Sequence, residues 1–227
     1  HGIVADDQER IREALERAVR SDAHVVIINA GSSAGSRDYT VNVIGQMGEI
    51  LVHGVAMMPG KPTILAAVED KPVMGNPGYA VSATLSFEHF IRPLLYRLQG
   101  RRPPKPALIE VLPSRDIPSK LGLEEFVRVT IGKVGDRYVA TPLGRAAGAV
   151  TTLTRAEGIL RIPTLFEGIA QEEPVQAELL VDEEELQNTI VIIGSHDITL
   201  DVLADEIRRK GNHLRISSGN VGSLGGL

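Results

Sequence analysis

Three short loops concentrate the residue types from which anion chemistry is built. The first, Gly31-Ser32-Ser33-Ala34-Gly35, runs into Arg37, Asp38 and Tyr39. Its glycines let the backbone approach a ligand closely, successive amides can cradle an anion, and the serine hydroxyls add donors. Asp38 sets a carboxylate beside that cradle. The second loop, Met57-Met58-Pro59-Gly60-Lys61-Pro62, carries a lysine on a backbone restrained by proline, with Gly60 allowing the turn. A lysine on so stiff a loop can hold a tetrahedral oxyanion as a point charge. The third, Gly75-Asn76-Pro77-Gly78-Tyr79-Ala80-Val81-Ser82, opens a helix, where N-terminal amides and the Ser82 hydroxyl suit a phosphate. Taken singly, each has a plainer account: a strand-to-helix turn with a solvated aspartate, a surface lysine on a hairpin, a helix cap. The conjunction points to a ligand, because each loop follows an expected strand of one sheet, where open α/β sheets place their crevice.

Other signals carry less. Ser195-His196-Asp197 spells the residues of a catalytic triad in a row, but a triad is a spatial arrangement, and the run reads as a helix start with Ser195 or Asp197 as cap. The 6 histidines lack metal-ligand spacing, and no Walker lysine motif is present. Without cysteine there are no disulfides, thiolate metal sites or cysteine nucleophiles. A net charge of −5 gives no broad basic field for nucleic acid, and 4% aromatics with no tryptophan leave few stacking platforms. No apolar run approaches the roughly 20 residues that cross a bilayer. These features fit a cytoplasmic protein that handles a small anionic ligand through local geometry. The acidic run Asp182 to Glu185 reads as a solvated face.

The elements that must position the loops follow from periodicity in the 227 residues. Ile11, Leu15, Ala18 and Val19 recur at helical spacing between Asp6 and Arg20, with Asp6 and Glu9 as a capping box. Val25 to Ile28 is an apolar run expected to be buried on both faces. A helix from Thr40 to Met47, strands at Ile50–Ala56, Thr63–Val68 and Pro72–Met74, and a helix reaching Leu98 complete the first unit, with Pro93 interrupting that helix. The alternation predicts an α/β domain with a mostly parallel sheet and helices on its faces, over residues 1–100. Arg101 to Ala107, RRPPKPA, is an extended linker. Residues 108–183 read as a small β-barrel: a hairpin of Phe126–Ile131 and Arg137–Thr141, then strands at Val150–Leu153, Gly158–Ile162 and Val175–Val181. Residues 189–227 hold one further strand–helix–strand unit, an incomplete α/β segment with nothing to cover both faces. Its amides, from about Thr189, are expected to exchange rapidly.

GSSAGSRDYT, HGVAMMPGKP and GNPGYAVSA, in this order and spacing, resemble the signature loops of the molybdopterin molybdenumtransferase family. The β unit with VGDRYVATPL and the threonines Thr151 and Thr152 resembles that family's C-terminal β-barrel domain. The last segment resembles the start of a periplasmic-binding-protein-like domain fused to some members. The resemblance implies a three-layer molybdopterin-binding domain lacking its first strand, and a chain that is an internal piece of a longer enzyme. It implies that molybdate meets adenylylated molybdopterin, with magnesium-dependent loss of AMP as the metal is inserted. Asp38 would hold Mg2+, and Asp38 and Lys61 would serve the chemical step. Gly31, Ser32, Ser33, Gly35, Gly60, Gly75, Gly78 and Ser82 would cradle the pterin and its phosphate, in a homodimer. Two positions depart from the common motif: Met58 stands where a lysine is frequent, and Tyr79-Ala80 replace an asparagine and proline. Two other functions share the loop chemistry, a molybdopterin adenylyltransferase and a non-enzymatic molybdate-binding or sensing module. The attached β unit argues against the adenylyltransferase, whose stand-alone forms lack one.

Overall fold

The computed structural model describes residues 2–29, 39–195, 197–210 and 215–220. The chain divides into two compact units, His1–Pro104 and Lys105–Leu227, and the division falls inside the proline-rich segment.

In the first unit, helix α1 (Gln8–Val19) is capped by Asp7, whose carboxylate accepts the N–H groups of Glu9 and Arg10. The expected cap, Asp6, lies one residue too early, because the capping oxygen must reach the second and third helical amides. Strands β1 (Val26–Asn29), β2 (Glu49–His53), the two-residue β3 (Met57–Met58), β4 (Ile64–Val68) and β5 (Lys71–Asn76) follow, with helix α2 (Tyr39–Met47) between β1 and β2. Strands β1, β5, β4 and β2 form a sheet in that order. Only β1–β5 is parallel, while β5–β4 and β4–β2 are antiparallel. The expected mostly parallel sheet is therefore mixed. The reason is the two-residue Glu69-Asp70 connection, which can join antiparallel strands but cannot make the crossover a parallel pair needs. β1 is not buried on both faces either: Val26 is buried, but Ile27 retains 38% exposure.

One face of this sheet carries Val26, Ile64, Ala66, Val68 and Val73, packed with Leu15, Ala18 and Val19 of α1 and Val43 and Ile44 of α2. Period-2 alternation sends Met74 and Asn76 to the other face. After β5 come α3 (Ala80–Ser86), a π-helical turn (Phe87–Ile91) and α4 (Arg92–Leu98). The Arg92 N–H bonds Phe87 O, five residues back, just before Pro93. Proline cannot donate to the carbonyl four residues behind it, so the expected interruption takes the form of a wider turn.

The second unit is a closed barrel. Its strands are β6 (Leu108–Pro113), β8 (Glu124–Val134), β9 (Arg137–Pro142), β10 (Gly158–Ile162) and β12 (Val175–Leu179), and short β7 (Ile117–Pro118) pairs β11 (Gly168–Ile169) beside it. The 11-residue β8 pairs both β9 and β10, which closes the ring β10-β12-β6-β9-β8 and removes its edges. Val111, Val127, Val129, Ile131, Leu160 and Ala177 fill the interior. The expected strand at Val150–Leu153 is instead helix α5 (Thr151–Arg155). A tertiary bond overrides the β-branched preference: buried Arg128 donates from Nε to Thr152 Oγ1 at 2.8 Å and from Nη2 to Gly144 O at 2.9 Å. Burial lowers the Arg128 pKa, partly countered by Glu125. The acidic run Asp182 to Glu185 is the start of helix α6 (Glu183–Gln187), whose first turn favours negative charge and whose Leu186 joins the barrel core.

Beyond α6, β13 (Thr189–Gly194) and β14 (Arg215–Asn220) pair in parallel across helix α7 (Ile198–Arg209). The Thr199 N–H donates to Asp197 Oδ1 at 2.7 Å, so Asp197 caps α7. Both strands pass within 8 Å of β8 between Cα atoms, so the segment is not detached from the barrel as its sequence suggests. Yet Ile198, Val202 and Leu203 of α7 stay exposed. A two-stranded sheet is marginal unless further elements pack on it, and these apolar residues of α7 remain in solvent. Amides of β13 and α7 are expected to exchange faster than those of β4 and β5, and deletion after Asn188 to leave the barrel's melting temperature nearly unchanged. Protection of β13 equal to that of β4 would show that the segment is integral to the barrel.

Candidate functional site

Three connections leave the first sheet at one end. β1 ends at Asn29, whose in-register partner across the parallel pair is Asn76, the last residue of β5. β4 runs the opposite way, so its first residue, Ile64, pairs with Gly75 of β5 on one side and with His53, the end of β2, on the other. The loops after β1, after β2 and after β5 therefore start together. The mixed sheet preserves this because β1, β2 and β5 point in one direction and only β4 is reversed.

Gly31, Ser32, Ser33, Gly35 and Asp38 lie outside the described residues, which place the two ends of their loop: Asn29 closes β1 and Tyr39 opens α2.

The lysine loop is fixed by its backbone. Gly54 N–H donates to Thr63 O and Val55 N–H to Lys61 O, both at 2.9 Å, while Thr63 N–H donates to Gly60 O at 3.1 Å. The Met58–Pro59 peptide is cis. Gly60 is buried at a positive φ of 124°, and a Cβ there would lie 2.2 Å from Met57 Cε and 2.9 Å from Ser86 Oγ. Only glycine fits that position. Thr63 Oγ1 donates to Gly60 O at 2.7 Å and shares a hydrogen bond of 2.8 Å with Ser86 Oγ, in α3. Thr63 and Ser86 are both fully buried, so this pair ties the lysine loop to the helix that follows the third loop. Lys61 itself is exposed, and no ion pair engages it among the described residues.

In the third loop, Gly78 is exposed and Ser82 is buried within the first turn of α3, whose cap residue Tyr79 makes no side-chain capping bond. Gly75 has a packing reason to lack a side chain, since a Cβ would lie 2.9 Å from Ile64 Cδ1. The structure thus brings Gly60, Lys61, Gly75, Gly78 and Ser82 to one end of one sheet. It adds residues that sequence reasoning passed over: Thr63 and Ser86 as a tie, and the Asn29–Asn76 amide pair, in which Asn76 Nδ2 donates to Asn29 Oδ1 at 2.8 Å. Asn76 stood inside a recognised motif but was overlooked for the glycines around it. Among the described residues no group of three or more His, Asp or Glu side chains is placed to hold a metal ion. No described helix is long and apolar enough to cross a membrane.

Comparison with known proteins gives this geometry a family context. Residues 1–97 match the family described as "Probable molybdopterin binding domain", and residues 111–180 match "MoeA C-terminal region (domain IV)". The molybdopterin molybdenumtransferase of Haemophilus influenzae is 30% identical over 128 residues, covering 56% of this chain and 31% of that protein. The protein of the same name from Bacillus subtilis is 26% identical over 184 residues, covering 80% of this chain and 43% of the relative. The crystal structure of the molybdopterin biosynthesis MoeA protein from Pyrococcus horikosii superposes with a TM-score of 0.65 at 34% identity, covering 80% of this chain and 43% of that one. The chain spans less than half the length of these curated relatives. Both family matches end by residue 180, so neither supports the expected periplasmic-binding-protein-like domain over residues 189–227. Residues 1–97 form a MoeA-like molybdopterin-binding domain, and residues 111–180 form a MoeA C-terminal domain.

Proposed function

We infer that the complete protein inserts molybdenum into adenylylated molybdopterin and releases AMP, acting as a homodimer. The observation that carries this reading is that three connections start at one end of the first sheet, with Lys61 exposed on a loop held by its own backbone hydrogen bonds and tied to α3. Molybdate is a tetrahedral dianion, and an exposed ammonium on a fixed loop attracts it without the cost of burying a charge. The amides around Gly78 and at the start of α3, where Tyr79 provides no side-chain cap, suit the phosphate of the pterin substrate. Asp38 would supply the carboxylate for magnesium, which needs one or two such ligands and keeps several waters. The bound ion would neutralise phosphate charge as AMP leaves. The accompanying MoeA C-terminal domain favours this activity over adenylylation of molybdopterin.

The test is AMP release by the complete protein supplied with adenylylated molybdopterin, molybdate and magnesium. Molybdate-dependent release is expected. ATP-dependent adenylylation instead would assign the other transferase reaction, and molybdate binding with no AMP release would make the protein a binding module. Within that assay, Lys61→Ala removes a charge-assisted contact of roughly 1.5–3 kcal/mol. The molybdate concentration for half-maximal insertion should rise on the order of tenfold to a hundredfold. Met58 stands where the family often has a lysine, so no second lysine of the same loop masks the effect, and an unchanged molybdate dependence would make Lys61 an ordinary surface residue.

A further inference from the structure

Asn76 is only 5% exposed, and its side-chain amide is half used. Nδ2 donates to Asn29 Oδ1 at 2.8 Å, but Asn76 Oδ1 accepts no hydrogen bond among the described residues. A buried acceptor left unmet destabilises a fold, and such a group calls for a reason. Its position supplies one. Asn29 and Asn76 end adjacent parallel strands on the face turned away from the α1–α2 core, at the end where the three connections begin.

The chemistry of the orphan atom selects its partner. A carbonyl oxygen repels phosphate, molybdate and carboxylate, all of which present only acceptors there. It requires an N–H, an O–H or a cation. Divalent cations favour sites with carboxylates, whereas Asn29 and Asn76 bring no charge and no cluster of acidic residues accompanies them among the described residues. A neutral N–H donor fits best. The site then has two chemically opposite ends, a donor-only cation at Lys61 and an acceptor at Asn76. A ligand with an anionic group at one end and an N–H-bearing heterocycle at the other meets both.

Resting on the reading of the first unit as molybdopterin-binding, we propose that Asn76 Oδ1 accepts a hydrogen bond from the N–H edge of the pterin ring. The Asn29–Asn76 pair is then a specificity determinant that fixes the ring end of the substrate. Asn29 acts through Asn76 as a positioning residue, holding the amide so that its oxygen, not its nitrogen, faces the ring.

The test uses the full chain with neopterin, inorganic pyrophosphate and magnesium chloride as separate probes. In the unmodified chain labelled with 15N, the Asn76 side-chain amide resonances are expected to shift with neopterin and to stay in place with pyrophosphate or magnesium chloride. Asn76→Leu, which keeps the volume but removes the acceptor together with the donor to solvent-exposed Asn29, should weaken neopterin binding about tenfold. It should leave pyrophosphate affinity and the melting temperature near those of the unmodified chain. Asn76→Asp, which retains an acceptor oxygen, should bind neopterin more tightly than Asn76→Leu. Neopterin binding that persists unchanged in Asn76→Leu, or an Asn76 resonance that answers to magnesium alone, overturns the proposal while leaving the molybdopterin reading intact. Failure of the unmodified chain to bind neopterin at all removes both.

Discussion

In the complete protein, Asp38→Asn is expected to cut magnesium-dependent AMP release sharply while adenylylated molybdopterin still binds. Asp38 directly precedes Tyr39, the first residue of α2, so a rival account makes it a helix cap. The substitution separates the two roles, because asparagine caps a helix about as well as aspartate does. A capping role therefore predicts little change in either melting temperature or turnover. A magnesium-holding role predicts an unchanged melting temperature and a turnover reduced on the order of 10²–10³-fold, the usual effect of losing one group that stabilises developing charge. Excess magnesium should recover part of it, since a lost carboxylate ligand weakens magnesium binding. Full turnover in Asp38→Asn would take the residue out of the chemical step.

Gly48→Ala should strongly destabilise the first unit. Gly48 joins α2 to β2, and a Cβ there would sit 2.1 Å from Ala67 O and 2.8 Å from Val68 Cα. Both are backbone atoms of β4 and cannot swing aside as a side-chain tip can. The strands must part at Glu49–Ala67, the first pair of their ladder. Overpacking typically costs about 1–3 kcal/mol, and a backbone clash belongs at or above the upper end. Gly45, three residues earlier, provides the control. Its Cβ would meet only Ile50 Cδ1 at 3.4 Å, inside a helix where alanine is favoured by roughly 0.5–1 kcal/mol. Thermal unfolding should show Gly48→Ala melting lower and Gly45→Ala melting higher than the parent. Because β2 and β4 carry the lysine loop between them, Gly48→Ala should also weaken molybdate binding. Equal melting temperatures for the two variants would mean that β2 shifts without penalty.

Most strand positions, the barrel hairpin and the lysine-bearing and third loops were legible because apolar runs, glycines and prolines act locally. The direction of β4 was legible too, in the two residues Glu69 and Asp70, but the alternation of helices and strands elsewhere obscured it. What could not be read depended on distant partners. Thr151 and Thr152 carry strand-like side chains, and only the buried guanidinium of Arg128, 24 residues away, makes a helical turn there worthwhile. Asn29 and Asn76 are 47 positions apart, and their pairing depends on the register of two parallel strands. The Thr63–Ser86 tie is a similar case: two small hydroxyls with nothing local to announce them.

The Glu69-Asp70 turn, which reverses β4, also provides a handle on the molecule. Both residues are exposed, and they sit at the opposite end of the strands from the three converging connections. The five residues of β4 separate turn from site by roughly 15 Å of hydrogen-bonded sheet. A fluorophore, spin label or surface tether attached there would report on or immobilise the first unit while leaving the approach of a ligand to Lys61 and Asn76 unobstructed.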